Sequence, residues 1–271
     1  MGIKTMPYWK WALVLAGSLV LAILLYGASS LTSLVDIRWL RWIVIIAAAG
    51  LMLSLYSVFV RWFEGERAKD LPMKLCARHT AAGLLTGLCY FVIVVGIMIL
   101  AGCYGVKGFG NNFKGIADAF FMFLLVAVGE EIIFRGVLFR WVDEKFGLAA
   151  ALIASALIFG AVHWSNPGGT WWSSLAIAIE AGLLLGAAYK YSGTLWLPIG
   201  IHWAWNFSQG NVFGFEVSGA DAGASWIIPS VQGPAILTGG NFGAEASIIA
   251  VAVGALIAAA LIYATVKDKR Q

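Results

Sequence analysis

The sequence has little charge and few cysteines for its length. Of its 271 residues, 12% are charged and 61% are apolar, and the mean hydropathy is +0.86. A water-soluble domain needs a mostly polar surface, so this composition excludes one and indicates a protein solvated by lipid. Cys76, Cys89 and Cys103 show no CxxC spacing and cannot all pair, so neither a disulfide framework nor a thiolate metal site is expected.

Long apolar runs take the place of the missing charge. Several of them reach the roughly 18 to 20 residues that a helix needs to cross about 30 Å of hydrocarbon. The predicted fold is an all-α, polytopic transmembrane helix bundle of about eight spans, with 1–271 as a single membrane domain. The predicted spans are 11–30, 41–60, 80–102, 117–141, 147–164, 172–190, 195–212 and 246–265.

The positive charges are distributed unevenly between the predicted loops. If the N-terminus is cytoplasmic, only four of the 18 Lys and Arg residues fall outside: Arg38, Arg41, Lys107 and Lys114. The positive-inside rule then predicts that both termini are cytoplasmic and that 213–245 is an extracytoplasmic loop. We expect a multi-pass protein of the cell membrane, with the lipid bilayer as its surroundings. The membrane topology explains where the basic residues that give the net charge of +4 are placed, so no nucleic-acid partner is expected.

A few ionisable side chains lie inside the predicted spans. Each costs about 2.5 to 3.5 kcal/mol on insertion scales, so each needs a partner or a function. They are Glu130, Glu131, Arg135, His163, Glu180 and His202, together with the polar Asn206.

The run AVGEEIIFRG at 127–136 contains two neighbouring acids. Glu131 and Arg135 are four residues apart, which puts them on one helical face and predicts an ion pair. Glu130 lies about 100° around the helix and points elsewhere. A carboxylate in a low-dielectric cavity suits a general base or a metal ligand. The alternative is that both acids only pair with arginines.

His163 lies at the end of the next predicted span. The spans 117–141 and 147–164 form a helical hairpin that turns near Phe146 and Gly147, so Glu130 and His163 should lie at similar membrane depth. Phe159 precedes His163 by one turn and would cover it with an apolar ring. The alternative is an interfacial histidine.

The span 195–212 contains His202 and Asn206 one turn apart on one face. An imidazole and an amide side by side can donate hydrogen bonds to a developing oxyanion, although a core hydrogen-bonded pair would look the same. Glu180, in the span 172–190, is either an accessory acid or a buried carboxyl that is kept neutral.

Three motifs follow one another on these spans: EExxxR at 130–135, FxxxH ending at His163, and HxxxN at 202–206. In order and approximate spacing they resemble the signature of the CAAX-protease and bacteriocin-processing family, also called CPBP or Abi. The resemblance covers about 117–212. Each motif alone is weak, but three in this order form a fairly specific signal.

The resemblance implies an intramembrane endopeptidase that acts on a peptide or membrane-protein substrate. In it, the residue matching Glu130 activates water with the help of His163. His202 and Asn206 hold the oxyanion. The supporting residues are Glu131, Arg135 and Phe159.

Cofactor use is left open by this resemblance. The family has been described both as metal-independent glutamic peptidases and as metalloproteases. With a divalent metal such as zinc, the ligands would be Glu130, His163 and His202. The chain lacks HExxH, and these candidate ligands come from three helices, so their spacing does not decide the question.

Two other classes of function share these features. A non-catalytic immunity or scaffold protein could have the same fold. A proton-coupled transporter could use Glu130, Glu180 and the histidines as a relay, but the sequence shows no inverted repeat. The substrate, the cleavage site and the oligomeric state are not specified by these residues.

Overall fold

The structure, a computed structural model, describes residues 34–268 except residue 66, together with single positions between 16 and 32. The predicted span 11–30 therefore lies largely outside the described residues.

Helices make up most of the described chain. In order they are α1 (Arg38–Glu64), α2 (Met73–Leu100), α3 (Phe113–Glu131), α4 (Arg140–Phe146), α5 (Leu148–Val162), α6 (Trp171–Ile177), α7 (Leu184–Ser192), α8 (Trp196–Phe207), α9 (Ala235–Thr238) and α10 (Ile248–Asp268). Three π-helical segments continue them: Ile132–Phe139 joins α3 to α4, Ala178–Leu183 joins α6 to α7, and Ser208–Val212 extends α8. Short 3₁₀ turns cover His163–Ser165, Gly240–Phe242 and Ala244–Ala246.

Five helices of the described part are long and apolar enough to cross a membrane. They are Arg38–Phe63, Met73–Leu100, Leu148–Ser165, Trp171–Ser192 and Ile248–Lys267. Each coincides with a predicted span, which supports a multi-pass helical membrane protein. The segments 117–141 and 195–212 are also helical, but they carry the polar motifs and are not among these five. The count of eight spans and the orientation stay predictions.

The hairpin predicted between two of the spans is present. Helix α4 ends at Phe146, and α5 begins at Leu148. Between them Gly147 has a φ of 87°, which a residue with a side chain adopts only under strain. The turn therefore lies where the sequence predicted it.

The segment 213–245 has more structure than a plain loop. Within it, β2 (Ile227–Val231) pairs antiparallel with β1 (Tyr104–Phe109), and the register shifts between Val106 and Gly108. The segment also contains α9 and two 3₁₀ turns. The sequence analysis missed this small sheet, because its two strands are far apart in the chain and one of them contains Pro229.

Helices α2 and α8 approach closely at glycines. A Cβ atom on Gly83 would lie 2.4 Å from the carbonyl oxygen of Leu197, and one on Gly200 would lie 2.5 Å from that of Thr80. Both distances are far below van der Waals contact, so only glycine fits at these positions. The crossing fixes the position of α8, the helix that carries the HxxxN motif.

Candidate active site

A cavity of about 680 Å³ lies among the helices. This volume is within the range of small-molecule binding sites. Apolar side chains form most of its wall. Its carboxyl, imidazole and amide groups belong to Glu130, His163, Asn166, Glu180, His202, Asn206 and Glu245. All four predicted catalytic residues therefore face one space, although they come from three separate motifs.

The predicted ion pair between Glu131 and Arg135 is present and fully buried. Arg135 Nη1 donates to Glu131 Oε1 at 2.8 Å, and both side chains are 0% exposed. Arg135 Nη2 also donates to the carbonyl oxygens of Ala181 and Gly182, at 3.3 and 3.2 Å. The guanidinium thus ties the EExxxR helix to the π-helical segment after α6.

His202 is held by Glu131 through its inner nitrogen. The distance from His202 Nδ1 to Glu131 Oε1 is 2.8 Å. An ionised carboxylate can only accept, so the shared proton is assigned to Nδ1. His202 Nε2 then faces Glu130, whose Oε2 is 3.9 Å away. Glu131 therefore orients the imidazole as well as neutralising Arg135, a contact that the sequence did not predict.

Glu130 has different surroundings from its neighbour. Its Oε2 atom is buried and has no hydrogen-bond partner among the described residues, while 18% of its side chain is exposed. The chain changes to a π-helix at Ile132, directly after the two acids. Such segments often occur at functional sites, where they change the direction of side chains. Glu130 is the acid of the pair that is available to a bound molecule.

His163 is fixed by the backbone of its own helix. Its Nδ1 is 2.7 Å from the carbonyl oxygen of Phe159. Because a carbonyl only accepts, the proton is assigned to Nδ1, which leaves Nε2 unprotonated in the neutral ring. The Phe159 ring covers His163 at a centroid distance of 4.8 Å, as predicted, and Arg135 Cζ lies 4.7 Å from the same ring.

Asn206 completes the group of polar residues on α8. It is buried, lines the cavity, and lies one turn after His202. The amide therefore stands beside the imidazole, as the HxxxN spacing predicted.

The donor atoms of the cavity do not form a three-ligand metal cluster. Within the described residues, no group of three or more His, Cys, Asp and Glu side chains could hold a metal ion. Glu130, His163 and His202 share the cavity but do not fit such a site in this arrangement. The zinc alternative gains no support from the geometry and stays untested, so the chemistry below is derived from the side chains.

The wall also contains functional groups that the sequence analysis missed. Tyr90 of α2 and Glu245 of the turn before α10 line the same cavity, beside Glu180. The position of Tyr90 in the middle of an apolar span could have indicated a polar contact, because a buried hydroxyl needs a hydrogen-bond partner. Glu245 gave little signal, since it lies at the edge of a segment that was interpreted as a loop.

These observations define a polytopic helical membrane protein with a glutamate and histidine cavity between its helices. Residues 112–208 match the model of the type II CAAX prenyl endopeptidase Rce1-like family. The resemblance to CAAX proteases is thereby confirmed over this segment, and it supports a protease at the level of the family. The match does not bear on bacteriocin processing, which stays a prediction.

A curated protein of Bacillus subtilis (strain 168) is also similar to the chain. It is the uncharacterized protein YpbD, 29% identical over 126 residues, which are 42% of this chain and 61% of that protein. The chain thus covers less than two thirds of the length of this relative. No solved structure matches the chain significantly.

Proposed function

We propose that this protein is an intramembrane endopeptidase that hydrolyses a peptide bond of a membrane-associated protein or peptide. The observation that carries the proposal is the convergence of Glu130, His163 and His202 on one largely apolar cavity. Peptide hydrolysis within lipid needs a base, an oxyanion site and a space that excludes bulk water, and this cavity offers all three.

Glu130 acts as the general base in this proposal. Its unpartnered oxygen accepts a proton from a water molecule, and the resulting hydroxide attacks the carbonyl carbon of the peptide bond. His163 Nε2 helps to orient that water by accepting its second hydrogen. When the C–N bond breaks, the Glu130 carboxyl returns its proton to the leaving nitrogen.

His202 and Asn206 stabilise the tetrahedral oxyanion. Asn206 donates from its amide nitrogen. His202 donates from Nε2 when its ring carries both protons, and the Glu131 carboxylate at Nδ1 offsets the charge of that form. Glu131 is therefore a positioning residue, and Arg135 pairs with its carboxylate.

The substrate and the location are further parts of the proposal. The apolar cavity wall favours a lipid-modified or membrane-embedded peptide, in line with the name of the matching family. The excess of Lys and Arg in the predicted inner loops favours the cytoplasmic membrane, with eight spans and both termini inside.

The test is cleavage of a peptide and membrane-protein library by the purified protein in detergent. Glu130→Gln and His163→Ala are expected to lower the rate by at least about a hundredfold, the usual contribution of a general base. Glu216→Gln makes the same chemical change at an exposed acid that does not line the cavity, and it should retain activity.

Each sample is repeated with a strong chelator. Loss of activity in the chelated wild type would replace the glutamic mechanism with a metal-dependent one. Full activity in a folded Glu130→Gln protein would remove Glu130 from the mechanism. The absence of cleavage by the wild type on every substrate would favour a non-catalytic protein of this fold.

A further inference from the structure

A second polar group of the cavity takes no part in the mechanism above. It consists of two carboxyl side chains and two stacked aromatic rings, here called the acidic cluster: Tyr90, Glu180, Trp205 and Glu245. All four residues are at most 4% exposed and line the cavity. Trp205 directly precedes the catalytic candidate Asn206, so the cluster and the reaction site are neighbours on α8.

The hydrogen bonds of Glu180 are incomplete. Tyr90 Oη lies 3.0 Å from Glu180 Oε2 and 2.8 Å from the carbonyl oxygen of Ala250. The tyrosine has one proton to share between these two acceptors. The other oxygen of Glu180, Oε1, is buried without any partner. This carboxyl therefore has no donor on Oε1 and only a shared donor on Oε2.

Glu245 adds a second acid to the same place. It accepts a hydrogen bond from the backbone nitrogen of Ser218, and its charge acts on both Glu180 and Tyr90. No Lys or Arg side chain of the described residues pairs with either carboxyl. Two buried acids without a counter-charge are costly when they ionise, and a cation between them would lower that cost.

The aromatic pair indicates which kind of ligand the cluster would bind. The rings of Tyr90 and Trp205 stack at a centroid distance of 4.0 Å. Aromatic faces attract cations, most strongly when water is excluded. Carboxyl groups beside tryptophan and tyrosine rings suit an ammonium or guanidinium group, one of whose three or five N–H donors would satisfy the unpartnered Oε1 of Glu180.

We infer that the acidic cluster is a subsite for a positively charged group of the peptide substrate: a Lys or Arg side chain, or a free amino terminus. This inference rests on the proposed function, because the occupant belongs to the peptide that is cleaved. The subsite favours substrates with a positive charge at one position. The rest of the cavity wall favours apolar substrate groups.

The first experiment measures this selectivity directly. A peptide cleaved by the wild type is resynthesised with Lys, Arg or norleucine at each position around the scissile bond. At one position, the cationic residue is expected to raise kcat/KM by about tenfold over norleucine. The ratio should fall to about one in Glu180→Gln and stay high in Glu216→Gln. Equal ratios in the wild type and in Glu180→Gln would overturn the inference.

The second experiment does not depend on cleavage. The probes are n-hexylammonium chloride and 1-hexanol, which have the same apolar chain, and the measurement is the Tm of the protein in detergent. Hexylammonium should raise the Tm of the wild type and of Glu130→Gln more than hexanol does, and should lose this advantage in Glu180→Gln. If Glu180→Gln does not fold, Glu245→Gln replaces it, and it should reduce the advantage because it removes one of the two acids.

The two experiments separate the two proposals. Selective stabilisation by hexylammonium without any cleavage would contradict the peptidase and retain the cationic subsite. Cleavage that ignores charge, together with equal effects of the two probes, would contradict the subsite and retain the peptidase.

Discussion

Glu130 and Glu131 are neighbours in sequence, yet they have opposite surroundings. Glu131 is completely buried and bound to both Arg135 and His202. Each acid has one oxygen, Oε2, without a hydrogen-bond partner, but Glu130 is partly exposed to the cavity whereas Glu131 is not exposed. Their different environments come from the helix itself, which turns successive side chains by about 100°.

This difference predicts opposite effects of the same substitution. Glu131→Gln should destabilise the protein by about 3–5 kcal/mol, because Arg135 stays buried without its counter-charge. Glu130→Gln should change the free energy of unfolding by less than about 1 kcal/mol, since its free oxygen has no bond to lose. Unfolding in detergent, followed by tryptophan fluorescence, compares the two. Equal destabilisation would contradict the assignment of Glu131 as the structural acid.

Glu245 lies outside the membrane-spanning helices and titrates near neutrality. Burial raises its pKa from 4.5 to about 7, and the hydrogen bonds with Ser218, Trp205 and Gln209 only partly oppose this. The titratable groups that face it are Glu180 and Tyr90. The folded protein binds this proton more tightly than the unfolded chain does. The contribution of Glu245 to the free energy of unfolding is therefore largest below pH 4.5. It decreases by about 3 kcal/mol in all as the pH rises to about 7.

Glu245→Gln should remove this contribution. The glutamine oxygen can still accept from Ser218, but the side chain no longer ionises. We expect the Tm of the wild type, relative to that of Glu245→Gln, to fall as the pH increases from about 5 to about 7.5. Parallel Tm curves for the two proteins over this range would show that Glu245 does not titrate there.

At the level of elements, the glycine crossing of α2 and α8 controls the geometry of the cavity. Gly83 touches the backbone of α8, whereas a Cβ atom on Gly96 of the same helix would meet nothing within 4 Å. Helix α8 carries His202 and Asn206, so a displacement there moves two groups of the site together.

Gly83→Ala and Gly96→Ala form a matched pair on α2. Alanine at 83 should force the helices apart and lower both Tm and peptidase rate, since the reacting groups need accurate placement. Alanine at 96 should leave the rate unchanged and slightly increase stability, by up to about 1 kcal/mol. Rates and Tm values are measured under the same detergent conditions. An unaffected Gly83→Ala protein would contradict the tight crossing.

The sequence predicted those features that depend on local spacing. The turn at Gly147 and the pair of Glu131 with Arg135 both follow from helical periodicity. The contact of Glu131 with His202, and that of Tyr90 with Glu180, join residues 71 and 90 positions apart. Helical periodicity relates only residues a few positions apart, so it cannot predict these contacts. The strand pairing in 213–245 was missed for the same reason, and because glycine and proline there indicated a loop.

At the level of the whole molecule, the exceptions to the charge asymmetry are partly neutralised. Two of the predicted outer basic residues, Arg38 and Arg41, approach Asp118 at 3.0 and 3.9 Å. Trp42 donates to the same carboxylate at 2.7 Å. Arg38, Arg41 and Trp42 all belong to α1 and Asp118 belongs to α3, so these contacts tie the first turns of the two helices together.

The topology can be tested with single cysteines in a protein whose three native cysteines are replaced by alanine. Asp221→Cys and Arg67→Cys are both at exposed positions, in segments predicted to lie on opposite sides. A membrane-impermeant maleimide should label the cysteine at 221 in intact cells, and the one at 67 only after permeabilisation. The reverse pattern would invert the predicted orientation.

The buried guanidinium of Arg135 also has a consequence for how the chain is synthesised. Glu131, its ion-pair partner, lies on the same helix. The carbonyl oxygen of Ala181, which accepts from Arg135, is 46 residues further along the chain. At about 5 to 20 residues per second, a ribosome needs roughly 2 to 10 s to reach it. In the predicted topology, the helix that bears the glutamate pair enters the membrane during that interval with its arginine only partly satisfied. Its stable insertion should therefore wait for the later helix, and the half of the molecule that holds the candidate site should assemble as a unit rather than span by span.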